Sequence, residues 1–165
     1  MIDSPSLPVC RKTFDLQSLA GTEALAVALA RRATARDVIA LSGSLGAGKT
    51  AFARAFIRAR SGGEAVTEVP SPTFTLVQVY DLPVTPVWHF DLYRLAKPDD
   101  AWELGIEEAW VEAISLIEWP DRLGPLLPDT RLDIELSPAT RGDARRATIT
   151  GRGTWAARIE SLANG

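Results

Sequence analysis

The chain has 165 residues, of which 46% are hydrophobic and 24% charged, and its formal net charge is −3. A chain of this length buries roughly 70% of the surface that its unfolded form exposes, so we expect a single domain over residues 1–165. One cysteine (Cys10) excludes an internal disulfide, one histidine (His89) excludes a zinc-type ligand cluster, and the small negative charge gives no overall attraction to nucleic acid.

The N-terminus and the hydropathy pattern predict where the protein works. Residues 1–8 lack the basic stretch and apolar core of a signal peptide, and nowhere do 18 uninterrupted apolar residues occur. Together with the single cysteine, this predicts a cytoplasmic protein that does not span a membrane. The segments expected to be disordered are residues 1–12 and the turn from Thr140 to Arg145.

The first half of the chain predicts a helix, a strand and a second helix. Residues Thr22 to Ala33 are rich in Ala and Leu and predict a helix with Thr22 as its N-cap. The apolar run Val38 to Leu41 predicts a buried strand. Apolar residues then recur at helical spacing from Lys49 to about Arg60, and the glycines that follow at 62 and 63 end that helix.

The loop between this strand and the second helix fits the phosphate-binding pattern G-x-x-x-x-G-K-[ST] at every fixed position. Its glycines let successive N–H groups point at phosphate oxygens, and the helix that follows adds the positive end of its dipole. Lys49 is expected to reach the β- and γ-phosphates and Thr50 to place its hydroxyl on a magnesium ion. The predicted nucleotide-binding residues in this segment are Ser44, Leu45, Gly46, Ala47, Gly48, Lys49, Thr50 and Ala51.

The second half of the chain predicts mostly strands. They are expected at Phe74 to Tyr80, Val87 to Tyr93, Ala113 to Ile117, Arg131 to Leu136 and Arg146 to Thr150, with helices at Pro98 to Leu104 and Trp155 to Leu162. The first two strands form a hairpin. The whole order predicts an α/β fold of the P-loop NTPase type, a three-layer sandwich around a mixed, partly parallel sheet. The nucleotide is expected at the carboxyl edge of the strands.

Two acids are candidates for the chemistry, because a phosphate-binding loop holds a nucleotide but does not by itself hydrolyse it. Glu118 ends the buried-looking run Ala113 to Ile117, where a second strand of such a fold delivers a carboxylate to the metal. Asp91 ends another apolar run and shares a face with His89 by the period of a strand. A turn-forming aspartate beside a hairpin explains Asp91 equally well from the pattern alone.

Two further features adjoin these acids in the sequence. Pro70 and Pro72 stiffen the segment Ser71-Pro72-Thr73-Phe74, and a stiff loop with hydroxyls can act as a nucleotide-sensing switch. Ordinary turn chemistry is the commoner explanation of such a segment. Trp119 could stack on a base or pack beside the metal, although a tryptophan near a strand end more often belongs to the core.

Five motifs in this order resemble the TsaE (YjeE) family, the small P-loop ATPases of bacterial tRNA threonylcarbamoyladenosine synthesis. The resemblance runs from about Thr22 to Arg122 and is weak beyond. Its motifs are Gly43-Ser44-Leu45-Gly46-Ala47-Gly48-Lys49-Thr50, Ser71-Pro72-Thr73-Phe74, His89-Phe90-Asp91-Leu92-Tyr93-Arg94-Leu95, Glu103-Leu104-Gly105 and Ile117-Glu118-Trp119-Pro120. Ser44 stands where the family usually has aspartate. Since Ser44 is not a fixed position of the loop, nucleotide binding is expected to survive this departure.

The resemblance implies roles for particular residues. Thr50, Asp91 and Glu118 are expected to surround the magnesium, and Trp119 to border the nucleotide. Thr73 is expected in the switch-like loop. The implied catalytic residues are Lys49, Thr73, Asp91 and Glu118.

The resemblance also implies an activity and partners. The implied cofactors are ATP/ADP and Mg²⁺, and the implied activity is ATP hydrolysis at a low intrinsic rate. The implied partners are the TsaB and TsaD components, which transfer a threonylcarbamoyl group to adenosine 37 of tRNA, and contact with tRNA itself is expected to be indirect.

Two other classes of protein share a phosphate-binding loop. A small-molecule kinase would need an arginine-bearing lid, for which Arg141 to Arg152 is the candidate, but that segment predicts a turn and a strand instead. A GTPase switch would need Asp-x-x-Gly, whereas Asp91 is followed by Leu-Tyr-Arg, and the residues from Ala96 to Asp99 only imitate a guanine-reading motif.

Overall fold

The computed structural model of the chain describes residues 5–62, 68–139 and 141–163. Within these ranges the strands are β1 (Val9–Leu16), β2 (Val38–Ser42), β3 (Val77–Tyr80), β4 (Val87–Asp91), β5 (Ile114–Glu118), β6 (Leu132–Pro138) and β7 (Arg145–Arg152). The α-helices are α1 (Leu19–Ala30), α2 (Lys49–Arg60), α3 (Ile106–Glu112) and α4 (Thr154–Glu160), and 3₁₀ segments cover Pro98–Leu104 and Pro120–Leu126.

The strands form one mixed sheet in the order β1-β7-β6-β2-β5-β4-β3. The four strands β6, β2, β5 and β4 are parallel, while β7 and β3 run antiparallel to their neighbours and β1 runs antiparallel to β7. Parallel strands end at the same edge of a sheet, so the loops after β2, β4 and β5 lie together. In the register, Glu118 stands opposite both Leu41 of β2 and Asp91 of β4.

The central strands are buried on both faces. Every residue of β5 is buried, as are the first four residues of β2, which explains their near-continuous apolar sequences. On one face, Ile39 and Leu116 join a core that includes side chains of α1, α2 and α4. On the other face, Phe90 and Ile117 pack with α3 and the 3₁₀ segments. The three-layer, mixed-sheet architecture predicted from the sequence is therefore confirmed.

Several element boundaries differ from those predicted. The first helix begins at Leu19 after Ser18, so the prediction of Thr22 as N-cap is wrong. Thr22 lies inside the helix and is buried, and its N–H already donates to the Ser18 carbonyl. The predicted hairpin exists, but its first strand starts only at Val77, after a turn that ends at Leu76 with φ of +66°. The helix at α3 and the 3₁₀ segment after Trp119 were not predicted.

The N-terminal prediction of disorder is wrong for residues 9–12, which belong to β1. This strand pairs along its whole length with β7. It was missed because only its last residues, Phe14 and Leu16, are buried, so the apolar signal begins late. The turn after β6 is hydrogen-bonded where it is described, with the Ala144 N–H donating to the Arg141 carbonyl, whereas Thr140 lies outside the described residues.

An ion pair connects α4, the last helix, to the centre of the fold. Arg158 of α4 donates to both carboxylate oxygens of Asp37, at 2.6 Å and 3.1 Å, and Asp37 also accepts a hydrogen bond from the Thr34 N–H. A bidentate pair of this kind is geometrically specific. It attaches α4 to the start of β2, the strand that leads into the phosphate-binding loop. Among the described residues, no helix has the length and apolar character needed to cross a bilayer.

Replacing Phe14 with alanine tests whether β1 is an integral part of the fold. Phe14 is 5% exposed and belongs to the same core as Trp155, so we expect the free energy of unfolding to fall by about 3 kcal/mol. Thr13→Ala, one residue away on the exposed face, should change it by less than about 0.5 kcal/mol. Urea denaturation measures both; equal, small effects would mean that β1 is not packed on the sheet.

Candidate functional site

The phosphate-binding loop joins β2 to α2, with its backbone held close to β6. A Cβ atom added to Gly43 would lie 2.3 Å from the Leu136 carbonyl oxygen, and Gly43 has a φ of +144°. Only glycine satisfies both conditions. Gly48, with φ of +103°, precedes the first residue of α2. The helix therefore starts at Lys49, as predicted, and points its N-terminus into the loop.

Lys49 is the first residue of α2, its side chain turns back onto the loop, and the residue is 5% exposed. Its Nζ donates to the carbonyl oxygens of Gly43 and Ser44, at 2.5 Å and 3.0 Å, and lies 4.3 Å from the ring centroid of Trp119. Burial lowers the pKa of Lys49, while the nearby carboxylates of Glu118 and Asp91 act to raise it. The ammonium group thus faces two carboxylates across a small cleft.

The two predicted acids both line this cleft. Thr50, in the first turn of α2, donates from Oγ1 to Glu118 Oε1 at 3.1 Å. Asp91 stands beside Glu118 in the register and accepts hydrogen bonds from the Thr73 hydroxyl, at 3.3 Å, and from the Tyr93 N–H. The Thr73 hydroxyl also lies 2.9 Å from that of Ser71. The structure therefore brings together all four predicted catalytic side chains.

The contact that His89 makes at the site was not predicted from the sequence. Its Nε2 lies 2.6 Å from Glu118 Oε2, and neither side chain is more than 3% exposed. A carboxylate is acceptor-only when it is ionised, and the tautomer of His89 that donates to it is the one with the proton on Nε2. The other ring nitrogen, Nδ1, is buried without a partner among the described residues. Two signals could have placed His89 at the site: the strand period that puts it on the same face as Asp91, and its place in the same family motif as Asp91.

Trp119 borders the cleft in a strained backbone conformation. Its φ of +58° is in the left-handed region, which a bulky residue rarely adopts. The ring packs on Tyr93, with centroids 5.0 Å apart, and covers the Lys49 ammonium group. Trp119 is only partly buried: it packs against the core that contains Phe90 and Ile117, and it also forms a wall of the cleft.

The cleft has a volume of about 270 Å³. It is lined by Leu45, Gly46, Gly48, Lys49, Thr50, Ala51, Ser71, Thr73, Asp91, Glu118 and Trp119. Of the predicted nucleotide-binding residues, Ser44 and Ala47 do not line it: Ser44 is exposed, and the side chain of Ala47 is fully buried in the core. Ala47 can reach a ligand only through its backbone.

Three oxygen ligands that line the cleft, from Thr50, Asp91 and Glu118, suit a magnesium ion. A threonine hydroxyl and two carboxylates are hard oxygen ligands, and Mg²⁺ usually takes one or two carboxylates and completes its shell with water and phosphate oxygens. Among the described residues, no group of three or more His, Cys, Asp or Glu side chains forms a ready-made metal cage. The arrangement thus fits an ion that is bound together with a phosphate ligand.

Helices on both faces of a mixed sheet and a glycine-rich loop at its carboxyl edge place the chain in the P-loop NTPase-type class of α/β proteins. The family model "Threonylcarbamoyl adenosine biosynthesis protein TsaE" matches residues 16–147. The chain therefore belongs to the TsaE family. The match continues well beyond Arg122, so the expectation of a weak resemblance after that residue is wrong.

Individual relatives agree with the family model. A protein of Rickettsia bellii named tRNA threonylcarbamoyladenosine biosynthesis protein TsaE is 39% identical over 82% of this chain and 92% of its own length. Proteins of the same name from Bacillus subtilis and Nostoc are 37% and 36% identical, over 80% and 90% of this chain and 80% and 91% of their own lengths. The crystal structure of Bacillus subtilis YdiB has a TM-score of 0.71 and 30% identity, covering 95% of this chain and 93% of that one.

The contact between His89 and Glu118 predicts a stability difference between two variants. His89→Leu removes the donor from a buried carboxylate and should lower the free energy of unfolding by ~1.5–3 kcal/mol. His89→Gln keeps a donor of similar reach and should lose less. Chemical denaturation measures the free energy of unfolding of both variants. If it falls equally in His89→Leu and His89→Gln, the hydrogen bond does not stabilise the fold.

Proposed function

We propose that this protein binds ATP with Mg²⁺, hydrolyses it to ADP and phosphate, and so supports formation of N6-threonylcarbamoyladenosine at position 37 of tRNA. The observation that carries the proposal is the convergence of Lys49, Thr50, Asp91 and Glu118 around one cleft at the end of the phosphate-binding loop. The names of the relatives, which are tRNA threonylcarbamoyladenosine biosynthesis proteins, supply the pathway.

The loop and α2 would bind the phosphates. The N-terminus of α2 carries unpaired backbone N–H groups and the positive end of the helix dipole, both of which favour anions. Lys49 already lies in the cleft with its charge directed between the loop carbonyls and the acids. On binding, its ammonium group would exchange the carbonyl oxygens of Gly43 and Ser44 for phosphate oxygens, which are stronger acceptors.

Thr50, Asp91 and Glu118 would hold the magnesium, which when bound neutralises charge that develops on the transferred phosphoryl group. Glu118 is the acid best placed to orient the attacking water, because hydrogen bonds from Thr50 and His89 fix both of its oxygens. Asp91 is held by Thr73 and the Tyr93 N–H. The chain thus positions its carboxylates before the ligand arrives.

The segment Ser71 to Phe74 would report the state of the nucleotide to partner proteins. Thr73 bonds Asp91 at the site, whereas Phe74, the next residue, is 84% exposed and lies under the Arg94 guanidinium. A movement of Asp91 would shift Thr73, and Thr73 is bonded in the chain to the exposed Phe74. We propose the TsaB and TsaD components as the partners, with ATP hydrolysis resetting the transferase after each turnover rather than transferring the threonylcarbamoyl group.

The kinase and GTPase alternatives find less support. The segment Arg141 to Arg152, the candidate kinase lid, instead contains β7, which pairs with β1 and β6 over most of its length. Ala96 to Asp99, which imitates a guanine-reading motif, leads into the 3₁₀ segment Pro98–Leu104, where Asp100 accepts a hydrogen bond from the Lys97 N–H.

Lys49→Ala tests nucleotide binding. The change removes a charge-assisted contact worth ~1.5–3 kcal/mol, so ATP affinity should fall about tenfold or more. Lys97→Ala, a matched change at an exposed lysine, should leave affinity unaltered. Isothermal titration calorimetry with MgATP measures both. Unchanged affinity in Lys49→Ala would contradict the assignment of the loop.

Glu118→Gln separates binding from hydrolysis, since it keeps the shape of the side chain and removes its charge. We expect kcat to fall by ~10²–10⁴-fold while ATP affinity falls much less. Asp91→Asn should also lose turnover, with partial recovery in excess magnesium. Glu112→Gln, the same change at the exposed end of α3, is the control.

The measurement is ATP turnover and multiple-turnover tRNA modification in the presence of the TsaB and TsaD components, so that the intrinsic rate is not limiting. Full activity of Glu118→Gln would refute the mechanism. Hydrolysis without any effect on tRNA modification would refute the proposed role but not the ATPase activity.

A further inference from the structure

Arg145, the first residue of β7, reaches across to the outside of the phosphate-binding loop. Its Nε donates to the Ala47 carbonyl oxygen at 2.9 Å, and its Nη2 to that of Gly46 at 3.1 Å. Its Nη1 donates to the carbonyl oxygens of Gly142 and Ala144, both at 2.8 Å. One guanidinium group thus joins two carbonyls of the loop to two carbonyls of the β6–β7 turn.

These contacts determine which way the loop amides point. In a planar trans peptide, the C=O of one residue and the N–H of the next point in opposite directions. Because Arg145 holds the carbonyls of Gly46 and Ala47 on its own side, the N–H groups of Ala47 and Gly48 face the opposite side. The Ala47 N–H accordingly donates across the loop to the Ser44 carbonyl oxygen, at 3.1 Å. By the same peptide geometry, the Gly48 N–H points away from Arg145.

The same contacts remove an electrostatic penalty. Carbonyl oxygens that turned inward would repel a phosphate, whereas here they are paired with a permanent positive charge. A loop whose amides are already oriented binds an anion without first paying to order them. Only arginine carries donors in the forked geometry that reaches four carbonyls at once, so lysine is not equivalent at this position.

We propose that Arg145 is a positioning residue for the nucleotide phosphates, acting through the backbone of Gly46, Ala47 and Gly48 and not by contact with the nucleotide. The inference rests on the proposed ATP binding at this loop. It assigns to the late strand β7 a part in phosphate recognition.

The neighbouring Arg146 provides a matched control. It lies next in the same strand but pairs with Asp15 of β1, and both of these side chains are about 60% exposed. Arg146→Gln therefore removes the same charge from the same strand, and at a surface ion pair of this kind the effect on the fold is small.

The experiment measures the affinities of Arg145→Gln, Arg145→Lys and Arg146→Gln for MgATP, MgADP and inorganic triphosphate by calorimetry, with thermal unfolding as a check on folding. For Arg145→Gln we expect all three affinities to fall by a similar factor, about tenfold, since lost phosphate ordering does not depend on the base. Arg145→Lys should show a smaller loss, and kcat at saturating ATP should change less than affinity does. Arg146→Gln should bind all three ligands as the unmodified protein does.

Three results would overturn the inference. Weaker binding of ATP and ADP with unchanged binding of triphosphate would mean that Arg145 contacts the nucleoside. Equal losses of affinity in Arg145→Gln and Arg146→Gln would mean that only the net charge of the protein matters, not the contacts of Arg145. Unchanged binding in Arg145→Lys, if Arg145→Gln does not fold, would show that the fork geometry is unimportant. The unmodified protein and Lys49→Ala, measured in the same assay, separate the two proposals. If the unmodified protein binds no ATP, the proposed function itself fails. If it binds ATP and Lys49→Ala weakens that binding, the proposed function stands whatever the Arg145 variants show.

Discussion

The carboxylate of Glu118 joins the three elements that make the site. One oxygen accepts from Thr50 in α2 and the other from His89 in β4, while the residue itself ends β5. A carboxylate that is 2% exposed is costly unless its lone pairs are satisfied, so these donors are a condition of placing it there at all. Stability and preorganisation of the site thus depend on the same hydrogen bonds.

The parallel arrangement of β2, β5 and β4 makes that convergence possible. Glu118 and Asp91 are neighbours because both end strands that run in the same direction in adjacent positions. Thr50 meets them because α2 begins directly after the loop that leaves β2, the strand on the other side of β5. Removing one of these strands from its position would separate groups that are far apart in the chain.

The last third of the chain supports the loop from outside. Leu136 in β6 comes so close to Gly43 that no side chain fits there, and Arg145 in β7 holds the next turn of the loop. Arg158 in α4 is paired with Asp37, just before β2. Each contact links a residue after 130 to the segment 37–48, so β6, β7 and α4 hold in place the backbone that carries the site.

The amino-acid sequence by itself determined the class of fold, the phosphate-binding loop and the position of Glu118 at the end of a strand, because these follow from local patterns: apolar runs, a glycine-rich turn and a carboxylate that closes an apolar run. For Asp91 the local pattern left a turn residue equally possible, and its place beside Glu118 comes from the pairing of β4 with β5. The sequence did not predict β1, whose burial comes from pairing with β7, nor the contacts of His89 and Arg145. Those contacts join residues 29 and 98 or 99 positions apart. Only the tertiary structure decided them, because no local pattern records which distant donor will satisfy a buried carboxylate or the carbonyls of a loop.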